Sequence, residues 1–258
     1  MLWFKRKEKA ELDLAVRGVG KSATALRIGE KLPSDHVFGA TETHFGGNPY
    51  FESGEIWPTF GDEKRPYDFV CQINLNECPD RPDVPFDLIT IFICWSKIND
   101  GDWTLLDHED IKRICLVRSY QNASPDKAVT IPRPAQLDAG DYKVHPCSIR
   151  TEPFMTYPQS PEGFHDVEAA SSKFRDAYSA YVSSLKRIGF WRHEMQSRIG
   201  GFPAWVCDCE FVDDSMIFLG QIDYEPKANN SILDAAPIYI AVSASDPTKI
   251  ETEIFQTY

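Results

Sequence analysis

Residues 44–51 read His-Phe-Gly-Gly-Asn-Pro-Tyr-Phe, and residues 198–206 read Arg-Ile-Gly-Gly-Phe-Pro-Ala-Trp-Val. The shared phrase is Gly46-Gly47-x-Pro49 in one place and Gly200-Gly201-x-Pro203 in the other. Glycine reaches positive φ without a Cβ clash, and proline fixes its own φ while biasing Asn48 or Phe202 toward extended geometry. The phrase is therefore read as a tight bend that delivers an extended segment onto a sheet. A ligand-binding glycine loop is the sharper alternative, but a repeated turn needs no ligand to account for it.

The match continues downstream. Phe69-Val70-Cys71-Gln72-Ile73-Asn74 follows the first phrase, and Phe218-Leu219-Gly220-Gln221-Ile222-Asp223 follows the second. Each Gln-Ile-Asn/Asp enters an acidic, proline-bearing turn, at Glu77-Cys78-Pro79 and at Glu225-Pro226. An apolar strand follows in both, over Asp87–Trp95 and Pro237–Val242. This order is an internal duplication, with Gly46, Gly47, Pro49, Gln72, Gly200, Gly201, Pro203 and Gln221 as its structural landmarks.

Between the copies, Val167, Ala170, Phe174, Tyr178, Tyr181, Leu185 and Ile188 form a stripe at helical spacing. Asp166 suits the N-cap of that helix and Gly189 its C′ position, which predicts a helix over 166–188. Residues 1–35 are read as an N-terminal helical segment. Residues 36–258 are read as one domain of two related halves, about 36–120 and 190–258. The proline-rich stretch 121–164 reads as irregular connection with short strands.

Composition sets limits on function. The 258-residue chain has 42% hydrophobic residues and a formal charge of −12, from 27 basic and 39 acidic side chains. Such a charge disfavours nucleic acid and anionic membranes and attracts basic partners, though it also serves plain solubility. There is no apolar run long enough to span a bilayer, and the N-terminus lacks the continuous apolar stretch of a secretory signal. Seven scattered cysteines suit reduced thiols, so a cytoplasmic location is expected.

Chemical motifs are sparse. Ala15-Val16-Arg17-Gly18-Val19-Gly20-Lys21-Ser22 fits a relaxed phosphate-loop pattern, which requires a buried strand before it and a parallel α/β sheet beyond. The strand before it would carry Asp13, and the chain beyond it is β-rich and duplicated, so the motif is read as coincidence. Cys207 and Cys209 form the one close cysteine pair, too few for a zinc site, and no metal or cofactor is expected. The six histidines form no helical ligand pair, and no catalytic residue set emerges. Acid beside aromatics is the remaining pattern: Asp100, Asp102, Trp103, Asp107, Glu109 and Asp110 in one cluster, and Trp205, Asp208, Glu210, Asp213 and Asp214 in the other. These clusters suit recognition of a basic protein surface, where charge speeds encounter and an aromatic anchors the contact. Solvated loops beside core tryptophans are the plainer reading.

The phrases around Gly46-Gly47, Glu55-Ile56-Trp57-Pro58, Phe69–Asn74, Gly200-Gly201 and Phe218–Asp223 together resemble the YwqG-like family of bacterial proteins. The resemblance implies an α+β fold: mainly antiparallel β-sheet with an internal pseudo-two-fold duplication and a few peripheral helices. Many of its members carry a Cys-x-x-Cys pair after the Trp-Pro, whereas here Thr59–Arg65 holds no cysteine, which weakens a metal role. Some relatives belong to toxin–immunity systems. The expectation is thus a cytoplasmic, non-catalytic protein-binding module for a basic partner, with an immunity protein that occludes a toxin domain as its specific form. The alternative is an enzyme or small-ligand binder with a site in the cleft between the halves.

Overall fold

The computed structural model describes residues 20–99, 113–138, 143–156, 196–204, 216–230 and 237–254. Its centre is a pair of long antiparallel strands, β1 (Lys21–Lys31) and β8 (Cys147–Thr156), with Arg27 directly opposite Arg150. On one side of this pair lie β9 (Arg198–Gly200), β10 (Met216–Ile222), β11 (Ile238–Ser243) and β12 (Ile250–Ile254). On the other side lie β2 (His44–Phe45), β5 (Asp68–Asn74), β6 (Leu88–Ile93) and β7 (Cys115–Tyr120). The result is one ten-stranded sheet in the order β12-β11-β10-β9-β1-β8-β2-β5-β6-β7. A small hairpin, β3 (Thr59–Phe60) with β4 (Arg65–Pro66), stands apart from it.

The two Gly-Gly phrases occupy matching places in this sheet. β2 pairs β5 with His44 opposite Gln72, and β9 pairs β10 with Arg198 opposite Gln221. Both glutamine strands carry a bulge just before the glutamine, at Val70 and at Leu219, where the register against the next strand slips by one. The leading strands are exchanged: β1 precedes the first phrase in sequence but borders β9, whereas β8 precedes the second phrase but borders β2. Loops tie the halves further. Beyond β5, Asp80 exchanges hydrogen bonds with Thr24 of β1 at 3.3 and 3.4 Å. Beyond β10, the Ala228 carbonyl accepts from the His145 N–H at 2.7 Å, and the Lys227 carbonyl accepts from the Cys147 thiol.

The sheet curls into a nearly closed barrel, and Thr252 of β12 donates to the Cys115 carbonyl of β7 at 3.4 Å across the seam. Inside is one continuous apolar cluster, with Phe45, Ile73, Ile89 and Ile91 from one side, Ile199, Leu219 and Ile240 from the other, and Leu26 between. β5, β6 and β11 are buried almost throughout, so both of their faces are covered and their sequences read as apolar runs rather than alternation.

This corrects the expected α+β class with its few peripheral helices. Among the described residues the fold is mostly antiparallel β, with 44% in strands against 11% helical. Among the described residues the complete α-helix is the short α1 (Trp95–Asn99). The helical reading of residues 1–35 fails for Lys21–Lys31, which form the central strand β1; residues 1–19 lie outside the described residues. Flanking β8 and β9 cover both sides of Ala23, Thr24, Ala25 and Leu26, so tertiary pairing overrides the local preference. The helix expected over 166–188 lies outside the described residues. Lys21 and Ser22 open an antiparallel strand rather than the helix that a phosphate loop requires.

Candidate functional site

The repeated turn is built from the same bonds in both places. Gly46 and Gly47 have φ of 58° and 76°, and Gly200 and Gly201 both have 76°. The chain then runs through Pro49 or Pro203 to a backbone N–H, of Tyr50 or Ala204, that donates to the side-chain oxygen of Gln72 at 2.7 Å or of Gln221 at 2.9 Å. One residue before each strand sits a buried hydroxyl: Thr43 Oγ1 accepts from the Asn74 N–H at 2.9 Å, and Ser197 Oγ accepts from the Asp223 N–H at 3.0 Å. Tyr120 donates to the Tyr50 carbonyl, and Tyr239, from a different strand, donates to the Ala204 carbonyl. All eight landmark residues are thereby assembled into two packed turns.

The copies differ in charge. In the first, His44 lies buried, stacked on Phe38 at 4.0 Å, and its ring bonds the Gly46 carbonyl at 2.7 Å. Burial lowers its pKa to about 4, so it is neutral. In the second, the matching residue is Arg198, fully buried, with an N–H donating to the Phe202 carbonyl at 2.5 Å. Asn74 is matched by Asp223, which is only 3% exposed. Burial pushes the Asp223 carboxyl up to about 6, partly offset by the Tyr224 N–H and Arg198. Nearby Glu225 is pushed up to about 7 by burial and the neighbouring Asp223, although Ser197 donates to it at 3.1 Å and Arg27 and Lys227 favour its charge.

Two carboxyls titrating near neutrality beside a serine and an arginine resemble acid–base machinery. Neither is among the walls of the two depressions described below. Their first consequence is for stability. Folded pKa values above the ordinary carboxylate range mean that the folded state binds more protons than the unfolded one between about pH 4 and 7. Glu225, Asp223 and also Asp68, which burial raises to about 6 despite Arg133 at 3.4 Å, therefore stabilise the fold in acid, and that contribution is lost as pH rises through the folded values. His44 opposes this, because its folded pKa lies below the ordinary one and its contribution is lost as pH falls below about 6.5. Moving from about pH 8 to about pH 5.5 is expected to stabilise the protein by roughly 2 kcal/mol, with Glu225→Gln removing most of the gain. Urea midpoints at the two pH values check this; a Glu225→Gln protein that tracks the wild type at both refutes it.

Metal and thiol chemistry find no footing among the described residues. No group of three or more His, Cys, Asp or Glu there could hold a metal ion. Cys71, Cys78, Cys94, Cys115 and Cys147 are free and buried, and burial raises each thiol above its ordinary pKa, the reverse of what a nucleophile needs. Cys207 and Cys209 lie outside the described residues.

Among the depressions bounded by described residues are two lined by segments between Val37 and Ile131. One, of about 290 Å³, lies at the β3–β4 hairpin between Phe60, Glu63, Arg65 and Lys97, where Arg65 pairs with Glu63 at 2.5 Å. The other, of about 200 Å³, has walls of mixed polar and apolar surface and lies against the first Gly-Gly turn, with Val37, Phe38, Pro49, Tyr50, Val129 and Ile131 among them. The turn makes this groove. A Cβ on Gly47 would stand 3.0 Å from the Phe38 ring, so the missing side chain lets Phe38 settle there. Val37 is 79% exposed and Val129 38% exposed at its rim.

The acidic and aromatic residues expected to bind a partner form two clusters in the sequence. Asp100, Asp102, Trp103, Asp107, Glu109, Asp110, Trp205, Asp208, Glu210, Asp213 and Asp214 all lie outside the described residues. Sequence reasoning misses the groove because its walls come from segments far apart in the chain, with no shared motif. It finds Glu225 only as part of a turn.

The fold and its paired turns define a duplicated, barrel-like antiparallel β-protein. The chain belongs to the family described as a domain of unknown function, DUF1963, which matches residues 43–251. Among curated proteins, none matches it. No helix among the described residues is long and apolar enough to cross a membrane.

Proposed function

We propose that the protein is a cytoplasmic, non-catalytic protein-binding module of YwqG-like type whose partner is basic. The observation that carries this reading is the groove on the first Gly-Gly turn, where Val37 and Val129 stand exposed at the rim. A groove rimmed by exposed valines on a chain of net charge −12 suits a partner that is steered by charge and anchored by an apolar side chain. A cognate toxin domain is one such partner, and occlusion of its substrate-binding face is how an immunity protein would act on it. Native co-purification from the host, at low and then high salt, tests the reading. A basic protein at equal stoichiometry that salt releases supports it, and a chain that comes through alone even when a candidate basic toxin domain is added counts against it.

The Asp223–Glu225 pair favours a second reading, a small-ligand or acid–base site between the repeats, since Glu225 also faces Arg27 of β1. A metabolite thermal-shift screen separates the two. Stabilisation that Glu225→Gln abolishes supports the second reading.

A further inference from the structure

We infer that the groove on the first Gly-Gly turn takes an extended segment of the basic partner, inserting one large apolar side chain flanked by lysine or arginine. This rests on the binding-module reading and adds the chemistry of the occupant. Three features of the groove point to it.

The first is size and lining. A hollow of about 200 Å³ between Phe38, Pro49, Tyr50 and Ile131 has room for one large side chain and not for a folded surface. Its floor is rigid, because Tyr50 is fixed by Gln72 through its N–H and by Tyr120 through its carbonyl, while Phe38 is stacked on the buried His44. A rigid floor costs little ordering on binding, which leaves more of the contact energy as affinity.

The second is the rim charge. Asp35, Glu42 and Asp126 are exposed on the segments that form the walls, and Glu52 lies beside Tyr50, accepting from its hydroxyl at 3.0 Å. Against them stand Lys127, which donates to the Asn122 carbonyl, and His36. The local balance is therefore acidic, as is the whole chain, and suits flanking cations on the incoming segment.

The third is the backbone of the walls. Val37 and Phe38 on one side, and Thr130 and Ile131 on the other, make no backbone hydrogen bond among the described residues. The chain just before the second wall is already strand-like, with Ala128 bridged to Glu52 and the Val129 N–H donating to the Phe51 carbonyl at 2.9 Å. Open N–H and C=O groups beside a bridged edge are what strand addition uses, with main-chain bonds supplying affinity and the pocket supplying specificity.

The test is fluorescence polarisation of the full chain with the dye-labelled peptide Lys-Lys-Val-Phe-Val-Lys-Lys at low salt. Binding is expected to weaken by about ten-fold or more when the Phe is replaced by Ala, when the Lys residues are replaced by Glu, and when alternate peptide nitrogens are methylated. The double variant Val37→Ser, Val129→Ser should lose a similar factor, and because both side chains are exposed at the rim its fold should be intact. No binding up to about 1 mM, or equal binding by the double variant, overturns the proposal. A host partner that co-purifies equally with wild type and double variant would overturn the groove assignment alone, while loss of every basic partner from the wild type would overturn the binding-module reading beneath it.

Discussion

Gly200→Ala is expected to destabilise the protein by about 2–5 kcal/mol, a large fraction of the stability of an ordinary chain. Gly200 holds φ at +76°, a conformation that costs an L side chain about 1–2 kcal/mol. An added Cβ would lie 2.2 Å from the Asp80 carbonyl oxygen and 3.2 Å from its carbon. These are backbone atoms and cannot swing aside as a flexible side chain would, so overpacking adds roughly 1–3 kcal/mol. The clash also strikes a joint between the halves, because Asp80 belongs to the loop after β5 and holds Thr24 of β1. Gly54→Ala supplies the control. Its φ is +90°, yet an added Cβ would meet nothing within 4 Å, so only the conformational cost of about 1–2 kcal/mol applies. Urea unfolding of both variants isolates the steric part. A Gly200→Ala protein as stable as the Gly54→Ala one would mean that the loop does not dock closely on β9.

Particular residues show how far the sequence can be read. The apolar runs Leu88–Ile93 and Ile238–Ser243 announce strands by length and β-branching, and both are fully buried strands. The two Gly-Gly phrases announce turns, and positive φ at all four glycines is the physical reason. β1 is hidden for the opposite reason. Its sequence Lys-Ser-Ala-Thr-Ala-Leu-Arg-Ile alternates weakly because both faces of its middle are covered, so nothing local marks it as a strand rather than a helix. The exchange of β1 and β8 between the halves leaves no mark at all, since strand pairing is decided by residues far apart in sequence. The candidate site suffers similarly. Thr43 and Ser197 stand at matching places before the two turns, a correspondence that an alignment beginning at Phe45 and Ile199 does not reach. The groove residues Val37 and Val129 come together through the Glu52–Ala128 bridge, a contact with no local signature.

Gln72→Leu is expected to cost about 2–4 kcal/mol, whereas Gln221→Leu should cost about 1 kcal/mol or less, although the two glutamines occupy matching places. Leucine keeps much of the volume and removes all polar bonding, so the comparison reads hydrogen bonds rather than cavities. Gln72 is fully buried; its oxygen accepts from the Tyr50 N–H, and its amide nitrogen donates to the Ala40 and Glu42 carbonyls, both at 2.9 Å. Substitution strands the Tyr50 N–H in a site closed to water and releases the segment before β2. Gln221 is equally buried, and its oxygen accepts from the Ala204 N–H, but its amide nitrogen has no hydrogen-bond partner among the described residues. Leucine there strands one N–H while removing a buried donor that was already unsatisfied, so the two changes largely cancel. Because Tyr50 floors the groove, Gln72→Leu should also weaken the lysine-flanked peptide, and Gln221→Leu should leave it bound. Paired urea unfolding and polarisation measurements decide the matter. Equal stability losses would refute the assignment of Gln72 as the more heavily bonded anchor, and equal peptide affinities would refute the coupling of that anchor to the groove.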